Sequence, residues 1–202
     1  IASGKSSLAA ALVASTGLQR AIGGRIEHVD ADALLRVARS TDGVLRDAIG
    51  RLVPDARGED GSLDSTLVAE RAFADPALLR RLEKLQWPIV RRAIGDASRR
   101  AAANGSRLVL VEAIALGRSG LAAELDGVLF LAVDEAIRRE RFMARGGSAQ
   151  AFDLRNATQA AVAAEMMAAG AVVIDGNGPL HETVHAASQA LRRLCLQGES
   201  ID

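Results

Sequence analysis

Ser3-Gly4-Lys5-Ser6-Ser7 runs straight into the apolar stretch from Leu8 to Ala14. That order is the second half of a phosphate-binding loop opening into a helix. Small residues let backbone N–H groups curl round a phosphate, and the helix N-terminus adds positive potential. Lys5 then reaches the terminal phosphates and the Ser6 hydroxyl ligates magnesium. The nucleotide-contacting stretch is therefore Ala2, Ser3, Gly4, Lys5, Ser6 and Ser7, with Mg2+ and ATP as the expected donor pair. The plain structural alternative for the triplet is a helix start carrying a solvated lysine. In the full motif, G-x-x-x-x-G-K-[ST], the first glycine would fall two positions before Ile1, so the first strand of the fold is expected to be missing from this sequence.

A second constellation is His28-Val29-Asp30-Ala31-Asp32. Two carboxylates at the carboxyl end of a strand beside a phosphate loop can accept a proton from a hydroxyl and hold a magnesium-bound water. Asp32 is the better base, whereas Asp30 is divided between chemistry and capping the following helix. Glu112 closes another apolar run, where it can orient a magnesium water or pair with an arginine such as Arg118. Arg145 and Arg155 suit a lid that supplies positive charge as it closes over a transferring phosphoryl group; their bland reading is exposed helix charge. His181-Glu182-Thr183-Val184-His185 spells H-E-x-x-H, the zinc-peptidase pattern. A third ligand is required, and downstream there is no histidine and only Glu199, so a surface histidine pair is the expectation.

Positioning these groups takes strands and helices in alternation. Apolar runs at Arg25 to Val29, Arg107 to Glu112, Gly127 to Val133 and Ala171 to Ile174 read as buried strands. Helical spacing covers Ser6 to Thr16, Asp30 to Arg39, Pro76 to Asn104, Asp134 to Arg145, Ala151 to Ala169 and Leu180 to Leu196. Trp87 precedes Pro88 and is biased out of the helical region, which predicts two helices or a kink there. The expected class is α/β, a doubly wound parallel sheet of the P-loop NTPase type, in one domain over 1–202. Its helical acceptor-side insertion spans about 41–105 and its lid about 138–160.

Composition narrows the partners. The chain has 202 residues, 49% of them hydrophobic, enough for a real core. Its 25 basic and 25 acidic residues cancel, which removes the footprint of a duplex-binding protein or a polybasic membrane anchor, and 2% aromatics leave few platforms for single-stranded bases. The longest apolar run, Leu108 to Leu116, is broken by Glu112 and is too short to span a bilayer. A small-molecule partner is expected. One cysteine, Cys195, fits a reducing compartment, hence the cytoplasm. Oligomeric state leaves no mark in the sequence.

In this order the motifs resemble those of the dephospho-coenzyme A kinases. The likeness runs through Ser3 to Ser7, Asp30-Ala31-Asp32 with Arg36 four residues on, Gly61 to Pro76, Leu82-Glu83, Arg141 to Arg155, and Val173-Ile174-Asp175-Gly176-Asn177-Gly178. The resemblance implies phosphorylation of the ribose 3'-hydroxyl of dephospho-CoA by ATP, the last step of CoA synthesis. It implies Asp32 as base, Lys5 and Arg145 on the transferring phosphoryl group, and Asn177 by the adenine. Asp30, Arg36, Glu112 and Arg155 fall on the substrate side. The chain departs from that pattern mostly on the acceptor side. Gln86-Trp87-Pro88 stands for Leu-His-Pro, Glu112 to Arg118 replaces Pro-Leu-Leu-Phe-Glu, and Met166 and Ala171 replace a Lys and an Asp. Two other readings stand beside it: a kinase of another small hydroxyl acceptor, such as a nucleoside or nucleotide, and a nucleotide-binding protein without turnover.

Overall fold

A computed structural model describes residues 1–114, 116 and 119–197. Helix α1 (Lys5–Ala14) follows Gly4, whose φ of 91° lies in the left-handed region that glycine enters without strain, and it buries Leu8, Ala9 and Leu12. It ends sooner than expected. Ser15 is extended, and its side chain accepts a hydrogen bond from the Leu18 amide at 3.2 Å, starting a separate helix α2 (Thr16–Ile22) that Gly23 closes at φ 76°. Strand β1 (Ile26–Asp30) and helix α3 (Ala31–Thr41) follow, with the Asp30 side chain as N-cap.

Aspartates also cap α4 (Gly43–Leu52), α5 (Ser65–Ala74) and α6 (Pro76–Asn104). Helix α6 runs unbroken through Pro88, against the predicted division there. Proline removes one backbone hydrogen bond, but Leu78, Leu82 and Gln86 before it and Val90, Ala97 and Ala101 after it are all buried, so packing on both sides holds the segment helical. Strand β2 (Leu108–Glu112), strand β3 (Leu129–Ala132) and helix α7 (Glu135–Met143) come next. The single helix expected over Ala151 to Ala169 is two, α8 (Ala149–Thr158) and α9 (Val162–Ala168). They are separated where the Gln159 and Ala160 amides bond back to Asn156 and Ala157 in tight three-residue turns. Strand β4 (Val172–Asp175) and helix α10 (Leu180–Gln197) complete the described chain.

The strands pair in parallel, β1 with β2 and β3 with β4, and Asp30 lies in register with Glu112. One face carries α1, α2 and α10 through Leu12, Leu18, Ile22, Ala187 and Leu191. Val90 of α6, Leu35 of α3 and Met166 of α9 cover the other. A separate apolar cluster, with Leu45, Ile49, Val53, Val68, Ala72 and Leu82, joins α4 and α5 to the first half of α6. Among the described residues the two strand pairs are not hydrogen-bonded to each other. A cavity of about 1240 Å³ lies between β2 and β3, lined there by Leu108, Leu110, Leu129 and Leu131, and continues to the strand ends. No described helix is long and apolar enough to cross a membrane.

Candidate functional site

The carboxyl ends of β1 and β2 meet the start of α1. Strand register brings Glu112 beside Asp30, one turn of α3 projects Asp32, and Gly4 turns the chain so that α1 begins with Lys5 facing both strands. The Lys5 ammonium lies 3.0 Å from Asp32 Oδ2 and 3.1 Å from Glu112 Oε1. The Ser6 hydroxyl also donates to Glu112 Oε1. Burial alone would drive the lysine towards neutrality. The charges of Asp32 and Glu112, and the hydrogen bonds they accept, outweigh it and raise the Lys5 pKa above the ordinary lysine range.

Glu112 is the group that this corner holds most tightly. Its side chain is 4% exposed, and a carboxylate so placed is costly unless paired. Oε1 has two donors, while Oε2 is buried with no hydrogen-bond partner and lies 3.7 Å from His28 Nε2. Arg118, the example of an arginine in the alternative ion-pair reading, lies outside the described residues. Asp30 Oδ1 accepts the Ala33 amide at 2.9 Å, so Asp30 caps α3. One carboxylate oxygen from each of Asp30, Asp32 and Glu112 falls within 4.8 Å of the others, and an oxygen-only donor set suits a hard divalent cation. Because the Ser6 proton goes to Glu112, the Ser6 oxygen keeps its lone pairs for such a cation.

Across the cleft stand arginines of the turn after α7 and of α8. Arg145 and Arg155 line the same cavity as Lys5, Asp32 and Arg36. The Arg145 Nε donates to the Arg141 carbonyl at 3.1 Å, and Arg155 lies 5.4 Å over the Phe73 ring and 5.7 Å over that of Phe142. Polar ties brace the hairpin: Arg138 Nη1 to Asn156 Oδ1 at 2.8 Å, Asn156 Nδ2 to Glu135 Oε2 at 2.9 Å, and Arg139 with Asp153. Gly147 makes room for this packing, since a Cβ there would sit 2.2 Å from the Phe142 ring.

Ala2, with φ 55°, and Ser3 and Ser7 line the cavity beside Gly4. Asn177 lines it too, its Oδ1 accepting the Asp134 amide at 2.8 Å. Sequence reasoning missed Arg141. Its guanidinium donates to the Ser3 carbonyl at 3.2 Å and to the Gly176 carbonyl at 3.1 Å, tying the lid helix to the phosphate loop and to the loop of Asn177. The available signal was its place one helical turn before Arg145. The H-E-x-x-H histidines remain a surface feature. His181 is 82% exposed, His185 bonds to Gln189, and among the described residues no third ligand joins them. Glu199 lies outside the described residues.

The model of the family described as dephospho-CoA kinase matches residues 1–182. A dephospho-CoA kinase of Anaeromyxobacter dehalogenans is 36% identical over 89% of this chain and 82% of its own length. That of Xanthomonas axonopodis pv. citri is 31% identical over 96% and 90%. Among solved structures, TT1252 from Thermus thermophilus superposes with a TM-score of 0.65 at 30% identity, covering 100% of this chain and 94% of that one.

Proposed function

The chain belongs to the dephospho-CoA kinase family, and from that premise we propose how its own residues carry out ATP-dependent phosphorylation of dephospho-CoA. The observation that carries the proposal is the contact of Lys5 with Asp32, which joins the phosphate loop to the acidic strand end at 3.0 Å. Asp32 is the base that takes the proton of the ribose 3'-hydroxyl as its oxygen attacks the γ-phosphorus and the bond to the β-phosphate oxygen breaks. Proton transfer of this kind contributes about 10²–10⁴-fold. Lys5 and Arg145 neutralise charge on the transferring group, and backbone amides from Ala2 to Ser7 cradle the phosphates.

The order of events follows from the resting contact. While Lys5 holds Asp32, the carboxylate is not free to face a hydroxyl. Donor phosphates draw the ammonium away, so nucleotide binding readies the base. Ser6 would hold Mg2+, with Asp30, Asp32 and Glu112 around it, and the ion would supply charge neutralisation between the phosphates. Asn177 borders the adenine of the donor. Arg36 and Arg155 serve the acceptor, as Asp30 does from the strand end. The helices at about 41–105 form the acceptor-side body and 138–160 the lid of a single domain. A small molecule is the partner, and the single thiol of Cys195 supports a cytoplasmic setting.

Phosphate transfer from Mg-ATP to dephospho-CoA, measured beside Lys5→Ala and Asp32→Asn, tests this. Turnover lost in both variants is the expected result. Binding of ATP with dephospho-CoA left unphosphorylated would return the assignment to another hydroxyl acceptor.

A further inference from the structure

Phe73 sits at the end of α5 with its ring outside all three apolar clusters. That is unusual in a chain with four phenylalanines and one tryptophan, where an aromatic ring is the largest piece of apolar surface available to a core. The ring lines the cleft instead, together with Asp32 and Arg36. Its one recorded ring contact is the Arg155 guanidinium, 5.4 Å above its centroid. Arg155 has no carboxylate partner among the described residues.

We propose that Phe73 is the shelf on which the purine base of the acceptor stacks, with the Arg155 guanidinium closing over its other face. The inference rests on the reading of Asp32 as the base that faces the acceptor's ribose hydroxyl. The base and the 3'-hydroxyl hang from one furanose ring, so the base must lie on a wall adjoining Asp32. Lys5 and Arg145 give one side of Asp32 to the donor phosphates. The remaining wall is built by α3 and α5, and Phe73 is the aromatic ring that it offers. The other two rings on the cavity are engaged. Phe142 packs against Phe152 at 5.8 Å and over Gly147, and Phe130 joins the cluster around Val90 and Met166.

A planar guanidinium on an aromatic face occupies the place a base would take, and both faces of a purine can be used this way. Two stacked layers need about 7 Å, from contact distances of about 3.5 Å each, so Arg155 and α8 have to give by about 1–2 Å on binding. Base occupancy therefore reports directly to the lid: the acceptor enters between the helical body and α8, and the arginine that covers it belongs to the hairpin that carries Arg145.

The test uses wild type, Phe73→Leu and Phe73→Tyr with two acceptors, dephospho-CoA and its analogue lacking the adenine base. Wild type should lose about tenfold or more in kcat/KM on the baseless acceptor, mainly through acceptor KM. Phe73→Leu should lose a similar factor on dephospho-CoA and barely distinguish the two acceptors, with ATP KM within about twofold of wild type; Phe73→Tyr should restore the distinction. A Phe73→Leu enzyme that still discriminates as wild type does overturns the shelf and leaves the ring a structural role. Turnover of dephospho-CoA by wild type separately tests the functional reading. Should Phe73→Leu fail to fold, wild type with dephospho-CoA and no ATP decides by NMR. Contacts from adenine H2 and H8 to a phenylalanine ring are expected, and a bound adenine without them overturns the proposal.

Discussion

Lys5 spends its ammonium on two carboxylates, Asp32 at 3.0 Å and Glu112 at 3.1 Å, whereas across the cleft Arg145 and Arg155 have no carboxylate among the described residues. In the first corner the Lys5 ammonium is committed before any ligand arrives. The second holds its guanidiniums by a backbone carbonyl or an aromatic face, contacts that orient a side chain without neutralising it. The contrast suits the two jobs. A phosphate loop gains from being preorganised, because its geometry must be right when charge develops. A lid and acceptor wall gain from unspent charge, because closing on a phosphate then releases interaction energy that the open state lacks.

The sharpest way to break this comparison is to remove the group that both walls converge on. Asp32→Asn keeps the shape and removes the base, so kcat should fall about 10²–10⁴-fold with ATP KM little changed, read in steady-state kinetics. A loss confined to ATP KM would make Asp32 a mere partner of Lys5. Next in size is Glu112→Gln. It keeps an acceptor for Ser6 but removes the charge that fixes Lys5, and groups acting through a ligand in this way typically cost about 10–100-fold. The signature should be in kcat/KM for Mg-ATP and in the magnesium requirement, with acceptor KM unmoved. An equal effect on both substrates would mean that the corner is not specialised for the donor.

Much of the first corner was legible because its determinants are local. Gly4, Lys5 and Ser6 are adjacent, and Asp32 follows a strand that ends in polar residues. The partnership of Glu112 was not legible. It depends on the pairing of β2 with β1 in the register that sets Asp30 beside Glu112, and strand register is a contact between residues far apart in sequence. The lid shows the same limit. Arg145 and Arg155 could be picked out as spare charges, but Arg141 acts on Ser3 and Gly176 through tertiary approach alone. Of the two helices or the kink expected at Pro88, the division is absent from α6, because burial on both sides of the proline holds the segment helical.

A smaller effect distinguishes the lid wall by its packing. Gly147→Val places methyl groups where the Phe142 ring lies, and overpacking of that kind costs about 1–3 kcal/mol. Because the α7–α8 hairpin is tied within itself by Arg138, Asn156 and Glu135, the cost should fall on that hairpin. Hydrogen exchange should quicken over 135–158 and stay unchanged in α1. Faster exchange in both places would show that the two walls are one cooperative unit.

The smallest expected effect tests whether the first corner is truly spent. Lys5 keeps its proton beyond the ordinary lysine value of 10.5; burial opposes this, but the charges of Asp32 and Glu112 prevail. A group whose pKa is raised on folding contributes stability that is complete below its unfolded value and is lost as pH rises through its folded one. The ligand-free chain should therefore lose melting temperature more steeply above about pH 10.5 than Lys5→Met, whose corner has no proton to give up. Arginines stay charged throughout this range, so the far wall adds nothing to the difference. Identical alkaline slopes for the two proteins would mean that the carboxylates do not hold Lys5 in solution, and the two walls would then differ in composition but not in readiness.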